Sequence, residues 1–420
     1  MVNLPRDKIT KAIYGHQEKS NLQIDVTVQL LSLIEHTSRN DFIVVDCKLF
    51  NLDPYPFNQK FLTISFETLP DLVVPDNVKI MINPYKSFNR RDIIQKIELF
   101  TDNSEEPIDE TSSLTIFLNS HKNPFVFSFT TLNIIGYKLI IYFNNREPFI
   151  VLSDEEFIIK DFLSICSIIK NQKDLEEWII YHNYIGVDHF YIYDNQSDIS
   201  IKQRLSNSFF NPISTVIDFP GQCVQMDAYH NYLHYYGFYT EWALIIDDDE
   251  FMTLNGNLKD FLDARNSLQA ISVHWVLYGT NYHNEHQKFV IESYTRRAAR
   301  QEKTIKSFSK PEYTINFPDP HFVLVENPKL YQDAKGNEVI AWSTIITVDV
   351  ICIYHFYVKS YQDWMNKRIR GDAFYDNQTR LQTDSAIIHS KDNDVVDTNL
   401  KDRYFLIIKE IYDRVVDRTE

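Results

Sequence analysis

The run WALII at residues 242–246 is apolar at every position and ends on four consecutive carboxylates, Asp247, Asp248, Asp249 and Glu250. A strand that is apolar on both faces belongs inside a parallel sheet covered on both sides, so Asp247 marks its carboxyl end. In open α/β sheets, ligands bind beyond the carboxyl ends of the strands. Extended geometry alternates side chains and sends Asp247 and Asp249 to one side, Asp248 and Glu250 to the other. Four adjacent carboxylates repel one another, and a bound cation removes much of that cost. Two oxygen ligands two residues apart suit one Mn²⁺ or Mg²⁺, hard ions that prefer carboxylate oxygen and phosphate. A calcium loop does not fit, because neither DNQSDISIKQRL nor DDDEFMTLNGNL has Gly sixth and Glu twelfth.

The same α/β rhythm begins near residue 161. FLSICSII at 162–169 reads as a buried strand, and NQKDLEEWIIYHNYIG follows with Leu175, Trp178, Ile179, His182 and Ile185 at helical spacing. Asn171 is the expected N-cap, with Asp174 and Glu176 in the first turn, and Gly186 supplies a left-handed stop. HFYIY at 189–193 closes a βαβ unit of about thirty residues. Met226, Tyr229, Leu233 and Tyr236 line one face of a further helix ending at Gly237, just before WALII. Three strand ends then carry polar groups suited to a nucleotide: Lys170 and Asn171, Asp194 and Asn195, and Asp247 to Glu250, Asp247 and Asp248 among them. Asp194 stands where a carboxylate accepts from ribose hydroxyls, although YDNQSD is equally turn chemistry with an Asx cap.

Before residue 155 the rhythm is different. DVTVQLLSLI, DFIVVDCKLF, KFLTISFETL, NVKIMINPY, QKIELF, SLTIFLN, FVFSFTTL and YKLIIYFN are β-type runs at roughly ten-residue spacing, which predicts an antiparallel sandwich. This half, residues 1–155, has no acid, base or nucleophile constellation. It reads as a structural or oligomerisation module, or as a carbohydrate-binding sandwich. Residues 156–420 form the α/β domain, and NDVVDTNLKDRYFLIIKEIYDRVVD at its end reads as an amphipathic helix for packing or self-association.

Lys and Arg number 42 against 58 Asp and Glu, a net charge of −16, which disfavours nucleic acid and acidic membrane as partners. Anionic small molecules remain eligible where local cations or a metal reverse the field. The four cysteines, Cys47, Cys166, Cys223 and Cys352, show neither disulfide nor zinc spacing, which suits a reducing compartment. No window approaches the ~18 apolar residues of a membrane helix and no signal-peptide core is visible, so the expectation is a soluble cytoplasmic chain.

CSIIKNQKDLEEWIIYHNYIGVDHFYIYDNQSD, WALIIDDDEFM, HWVLYGT, KSFSKPE, PHF and YHFYVKSYQDWMNKRIRGD together resemble the successive blocks of GT-A fold glycosyltransferases of family 92, formerly DUF23, with relatives in family 2. The resemblance covers residues 161–372 and departs at Gln172, where the family usually has Glu. It implies a Rossmann-like, mostly parallel sheet and inverting transfer from a nucleotide sugar, by analogy a UDP-sugar, to a glycan hydroxyl. It also implies that Asp247 and Asp249 form the DxD with Mn²⁺ or Mg²⁺, Asp249 being the surer ligand and Asp247 shared with ribose. His355 would complete the metal site, although a histidine in an aromatic strand is commonly a core residue. Lys359, Lys367 and Arg370, with Lys306 behind them, would neutralise the departing diphosphate. Asp319 in FPDPHF is the candidate base, with Glu292 in reserve. Trp275 and Tyr278 would stack on a sugar face or pack in the core.

Two other classes compete. A non-catalytic glycan-binding protein would tolerate loss of the acidic motif or His355, and both are present. A metal-dependent phosphoester hydrolase would want histidines near residue 250, and none occurs between His234 and His274.

Overall fold

The computed structural model describes residues 2–4, 8–36, 42–45, 49–50, 60–75, 78–81, 86–89, 94–100, 106–107, 126–128, 138–144, 146–152, 156–340, 345–370 and 385–416. The chain divides into two compact units. The first comprises Met1–Lys160 with His234–Tyr239 and Pro311–Ile315; the second comprises Asp161–Leu233, Thr240–Lys310 and Asn316–Glu420.

In the first unit, Gln23–Asp25, Ile9–Gly15, Phe61–Phe66 and Leu72–Pro75 form a four-stranded antiparallel sheet in that order. Ile94–Phe100, Lys138–Phe143 and Phe149–Leu152 form a separate three-stranded antiparallel sheet. A third small sheet joins Val2–Asn3, Lys79–Met81 and Phe42–Val44. One expected strand is a helix: Thr27–His36 winds out of DVTVQLLSLI. Val26, Leu30, Leu33 and Ile34 repeat at helical rather than alternating spacing and pack into one core. Asp25 starts the helix by accepting from the Thr27 amide at 3.0 Å. SLTIFLN and most of FVFSFTTL lie outside the described residues.

The elements that build the candidate site, in the second unit but for the first five residues of β1 and the last two of α2, are β1 (Glu156–Ile169), α1 (Leu175–Tyr184), β2 (His189–Asp194), β3 (Ser214–Asp218), α2 (Gln225–Tyr235), β4 (Thr240–Ile245), β5 (Glu250–Leu254), β6 (Ala270–Leu277), α3 (Val290–Ser293), β7 (Ile305–Ser309), β8 (Tyr331–Asp333), β9 (Ile351–His355) and α4 (Tyr361–Arg370). The sheet order is β3-β2-β1-β4-β7-β6-β9-β5, with β8 on β6. Strands β3, β2, β1 and β4 are parallel, Cys166 of β1 facing Tyr191 of β2 and Ile245 of β4. Beyond β4 the directions mix: β7 is antiparallel to both β4 and β6, β9 is parallel to β6, and β5 is antiparallel to β9. The sheet is therefore mixed rather than mostly parallel. Its parallel half is the βαβ part, whose helical crossovers impose parallel pairing.

Helix α1 begins after Asp174, not at Asn171, whose φ of 55° is left-handed and incompatible with a cap. Gly186 ends it at φ 117°, a region open to glycine. The buried face of α1 does more than fill the core. Among the described residues β5 is a terminal strand with one edge on which no strand pairs, and α1 side chains take the place of a neighbouring strand. Trp178 Nε1 donates to the Glu250 carbonyl at 2.8 Å, Tyr181 Oη to the Met252 carbonyl at 2.8 Å, and His182 Nε2 accepts from the Met252 amide at 3.3 Å. One helical turn rises about 5.4 Å and two strand residues about 6.7 Å, so residues three or four apart on a helix can follow alternate residues on a strand.

His182 is neutral in the fold. Its Nδ1–H donates to the Trp178 carbonyl at 2.9 Å, Nε2 is the acceptor, and burial depresses its pKa to about 3. The unfolded chain takes up a proton below about pH 6.5 that the folded chain refuses, so stability must fall as pH falls toward 3. Between pH 7 and pH 5 this group alone is expected to remove about 2 kcal/mol. Denaturant titrations at the two pH values should show that loss reduced in His182→Asn; an identical loss in both proteins would refute the assignment.

Among the described residues no helix is long and apolar enough to cross a membrane.

Candidate functional site

The four carboxylates leave β4 in a tight turn, not in an extended run. The Glu250 amide donates to the Asp247 carbonyl at 3.2 Å, and the Asp247 amide donates back to Glu250 Oε2 at 3.0 Å. The expected alternation is thereby broken: Asp247 shares Lys306 with Glu250, while Asp248 and Asp249 both line one cavity. The turn is held from outside as well. Gln172 Nε2 donates to the Asp248 carbonyl at 2.6 Å, and the Phe356 amide to the Asp249 carbonyl at 2.8 Å. Glu in place of Gln172 would offer no amide donor there.

Asp247 has both oxygens engaged, Oδ2 by Lys306 at 3.0 Å and Oδ1 by Gln225 at 3.1 Å from the start of α2. Lys306 is fully buried beneath the turn, 3.7 Å from Glu250 Oε1, and does not line the cavity. It is a countercharge to the turn and not, as expected from sequence, a donor-binding cation. Burial alone would lower the Lys306 pKa, but Asp247 and Glu250 outweigh it and raise it. Burial drives Glu250 well above the ordinary carboxylate range, with Lys306 opposing.

Asp249 faces the other way. Burial works against its charge, yet Lys367 and His355 hold its pKa well below the usual value. Oδ2 accepts from Lys367 Nζ at 2.5 Å. Oδ1 lies 3.2 Å from His355 Nε2 but has no aligned hydrogen-bond donor, and His355 Nδ1 is likewise buried without a partner. Residues 250 and 355 are register partners on β5 and β9, which is why the histidine arrives beside the turn. Burial and the neighbouring Asp249 charge push Asp248 up to about 6, against the pull of Arg370 and Lys359.

The cavity beside Asp248 and Asp249 holds about 510 Å³. Its cationic wall is Lys170, Lys173, Lys359, Lys367 and Arg370. Lys359, at φ 49°, is buried and bonds Asp174 and, at 3.2 Å, Gln172 Oε1; Arg370 donates to the Lys170 carbonyl. Asn171 lines the same space, its side chain exchanging hydrogen bonds with Asp198 at 2.7 and 3.0 Å. Lys170, Asn171, Asp248, Asp249, Lys359, Lys367 and Arg370 are thus brought together.

Other expected residues are not. Asp194 spends Oδ1 on the Ser197 amide at 2.9 Å and Oδ2 on the Ile201 amide at 3.3 Å. Asn195 donates to the Phe219 and Gly221 carbonyls, both at 2.9 Å. Both side chains fasten loops, and neither lines the cavity. Tyr278 is buried against Tyr354 and Phe356, ring centroids 4.8 and 4.6 Å away, and offers no face to a sugar. Glu292 lies on α3 and does not line the cavity. Trp275 is half-buried between His355 and His321, at 4.1 and 5.0 Å, with Nε1 unpaired. Asp319 lies beyond His321, its Oδ1 accepting from the His321 and Phe322 amides at 2.7 and 2.9 Å. Asp174, Asp363, Gln225 and His286 were not anticipated from sequence. Asp363, Lys367 and Arg370 fall on one face of α4 at i, i+4, i+7, a signal that periodicity already carried.

A divalent ion fits this donor set in one way. Among the described residues no three His, Cys, Asp or Glu groups stand together as a complete protein cage. Asp249 Oδ1 and His355 form a buried pair at the cavity edge, the oxygen lacking an aligned hydrogen-bond donor, and an ion of the Mg²⁺ type keeps waters and phosphate oxygens as its remaining ligands.

The family model for glycosyltransferase family 92 matches residues 164–403, the whole stretch that builds this cavity. A family 92 protein of Ricinus communis is 29% identical over 275 residues, 61% of this chain and 48% of that protein. One from Oryza sativa subsp. japonica is 35% identical over 106 residues, 24% of this chain and 18% of its own length. One from Arabidopsis thaliana is 29% identical over 117 residues, 27% and 20% respectively. The chain spans about half or less of the length of these curated relatives. It belongs to glycosyltransferase family 92.

Lys306→Met should leave Asp247 and Glu250 buried without their shared countercharge. The expected loss is about 3–5 kcal/mol of unfolding free energy in urea titrations, and a change below about 1 kcal/mol would contradict the countercharge role.

Proposed function

We propose that this chain transfers a sugar from a nucleotide sugar, with UDP as the carrier, to a hydroxyl of a glycan acceptor, with inversion at the anomeric carbon. The observation that carries the proposal is the buried Asp249 Oδ1, 3.2 Å from His355 Nε2 but without an aligned hydrogen-bond donor, at the edge of a cavity walled by five cations. Asp249 and His355 would hold Mn²⁺ or Mg²⁺, while Asp247 is engaged by Lys306 and Gln225. The ion supplies Lewis-acid stabilisation of the leaving diphosphate when bound.

The chain's own residues do the rest. Lys367 and Arg370 from α4 and Lys359 beside it place positive charge where the diphosphate gathers negative charge, in a site drier than bulk water. Asn171 and Asp198 close the far side of the cavity. Half-buried Trp275, its ring 4.1 Å from that of His355, would offer an aromatic face to a sugar held beside the ion. Asp319, its Oδ1 held by two amides, is the carboxylate assigned to take the acceptor proton, a contribution typically of ~10²- to 10⁴-fold.

Asp249→Asn tests the reading. Titration calorimetry of UDP with Mn²⁺ should show binding to the parent and none above background in the variant, with the circular dichroism melt retained. Unchanged Mn²⁺-dependent UDP affinity in the variant would sink the assignment.

A further inference from the structure

The cations of α4 sit on a helix that must be held in place, and the device holding it lies outside the family motif blocks. The loop at residues 281–287 runs across the start of α4. The Tyr361 and Gln362 amides donate to the His283 and Asn284 carbonyls at 3.0 and 2.9 Å, so the loop backbone satisfies the first amides of the helix. The loop is itself constrained. Asn281 and Tyr282 take φ of 50° and 65°, and their amides are held by Asn393 Oδ1 at 2.9 Å and Thr280 Oγ1 at 3.2 Å. Non-glycine residues persist in that region only when their surroundings over-determine them.

From this loop His286 reaches inward between two carboxylates. Nδ1 hydrogen-bonds Asp363 Oδ2 at 3.0 Å, and Nε2 lies 3.2 Å from Asp174 Oδ1. Nδ1 thus hydrogen-bonds one carboxylate, and Nε2 stands at ion-pair distance from the other without an aligned hydrogen bond, a setting that favours the imidazolium. Its pKa follows, raised to about 9 by Asp174 and then Asp363. Each carboxylate continues toward the cavity. Asp174 holds Lys359, and Asp363 accepts from Ser360 Oγ at 2.7 Å and from Lys173 Nζ at 3.3 Å. Both carboxylates line the cavity although they would repel phosphate there.

We infer that His286 is a positioning residue: by bridging Asp174 and Asp363 it locks α4 and Lys359 at the depth where Lys359, Lys367 and Arg370 meet a diphosphate. The inference rests on the cavity being a phosphate site. It explains why two acids stand in a phosphate-binding wall, since they hold the framework and do not touch the ligand.

The probe is inorganic pyrophosphate with Mg²⁺, titrated calorimetrically onto the full chain. His286→Asn should weaken binding about tenfold, the effect of one lost charge-assisted hydrogen bond, and His286→Arg, which can reach both carboxylates, should recover most of it. Asp363→Ala decides the matter by sign. If the wall acts only through its charge, deleting an anion tightens pyrophosphate; if Asp363 holds the framework, through His286 and Ser360, the same deletion weakens it. Tighter binding in Asp363→Ala, or unchanged binding in His286→Asn, overturns the inference. Should His286→Asn fail to fold, His286→Gln takes its place with the same weakening expected, and unchanged binding there overturns the inference. Absence of pyrophosphate binding by the parent would instead bring down the functional reading, and this inference with it.

Discussion

Burying neighbouring carboxylates is possible only where cations meet them, and the architecture around residues 247–250 follows from that constraint. An isolated buried charge costs several kcal/mol, so each acid needs a partner placed by some other element. Lys306 on β7 serves Asp247 and Glu250 beneath the turn, while α4 and the segment before it bring Lys367, Lys359 and Arg370 to Asp249 and Asp248 above it. The antiparallel strand β7 is therefore as necessary to the acidic turn as the strand that leads into it. The two groups of cations differ in consequence: one is sealed and maintains the fold, the other faces a cavity and can serve a ligand.

Much of this was legible along the chain. The apolar run at 242–246 and the 3.6-residue period at 175–185 placed β4 and α1 correctly, because burial on both faces of a strand and on one stripe of a helix leaves a local trace. Strand direction leaves none, and the antiparallel pairings of β7 and β9 emerge only from contacts between distant segments. The helix at Thr27–His36 was misread because Val, Leu and Ile are compatible with either period over a short stretch. Asp194 and Asn195 show a different limit. A polar side chain at a strand end looks the same whether it awaits a ribose or fastens a loop amide, and here both fasten loops. His286 gave no local signal at all, since its two partners stand 112 residues before it and 77 after it in the chain.

Gln172 joins these themes. Noticed first as a departure from the family pattern, it proves to be a junction: its amide nitrogen meets the Asp248 carbonyl, and its amide oxygen meets Lys359 and the Lys173 amide. A carboxylate could perform the second task but not the first. The substitution therefore tunes how the turn is tied to α1 and leaves Asp249 and His355 untouched.

The side chains of α1 that rivet the outer edge of β5 also bear on how the protein behaves in crowded solution. A terminal strand with free carbonyls and amides is a template on which a second molecule can add a strand. Trp178, Tyr181 and His182 occupy those groups with atoms that cannot be extended into another ladder. The acidic turn thus sits at the head of a strand that is shielded from intermolecular pairing, and its shield is made of three side chains that a single substitution could open to aggregation.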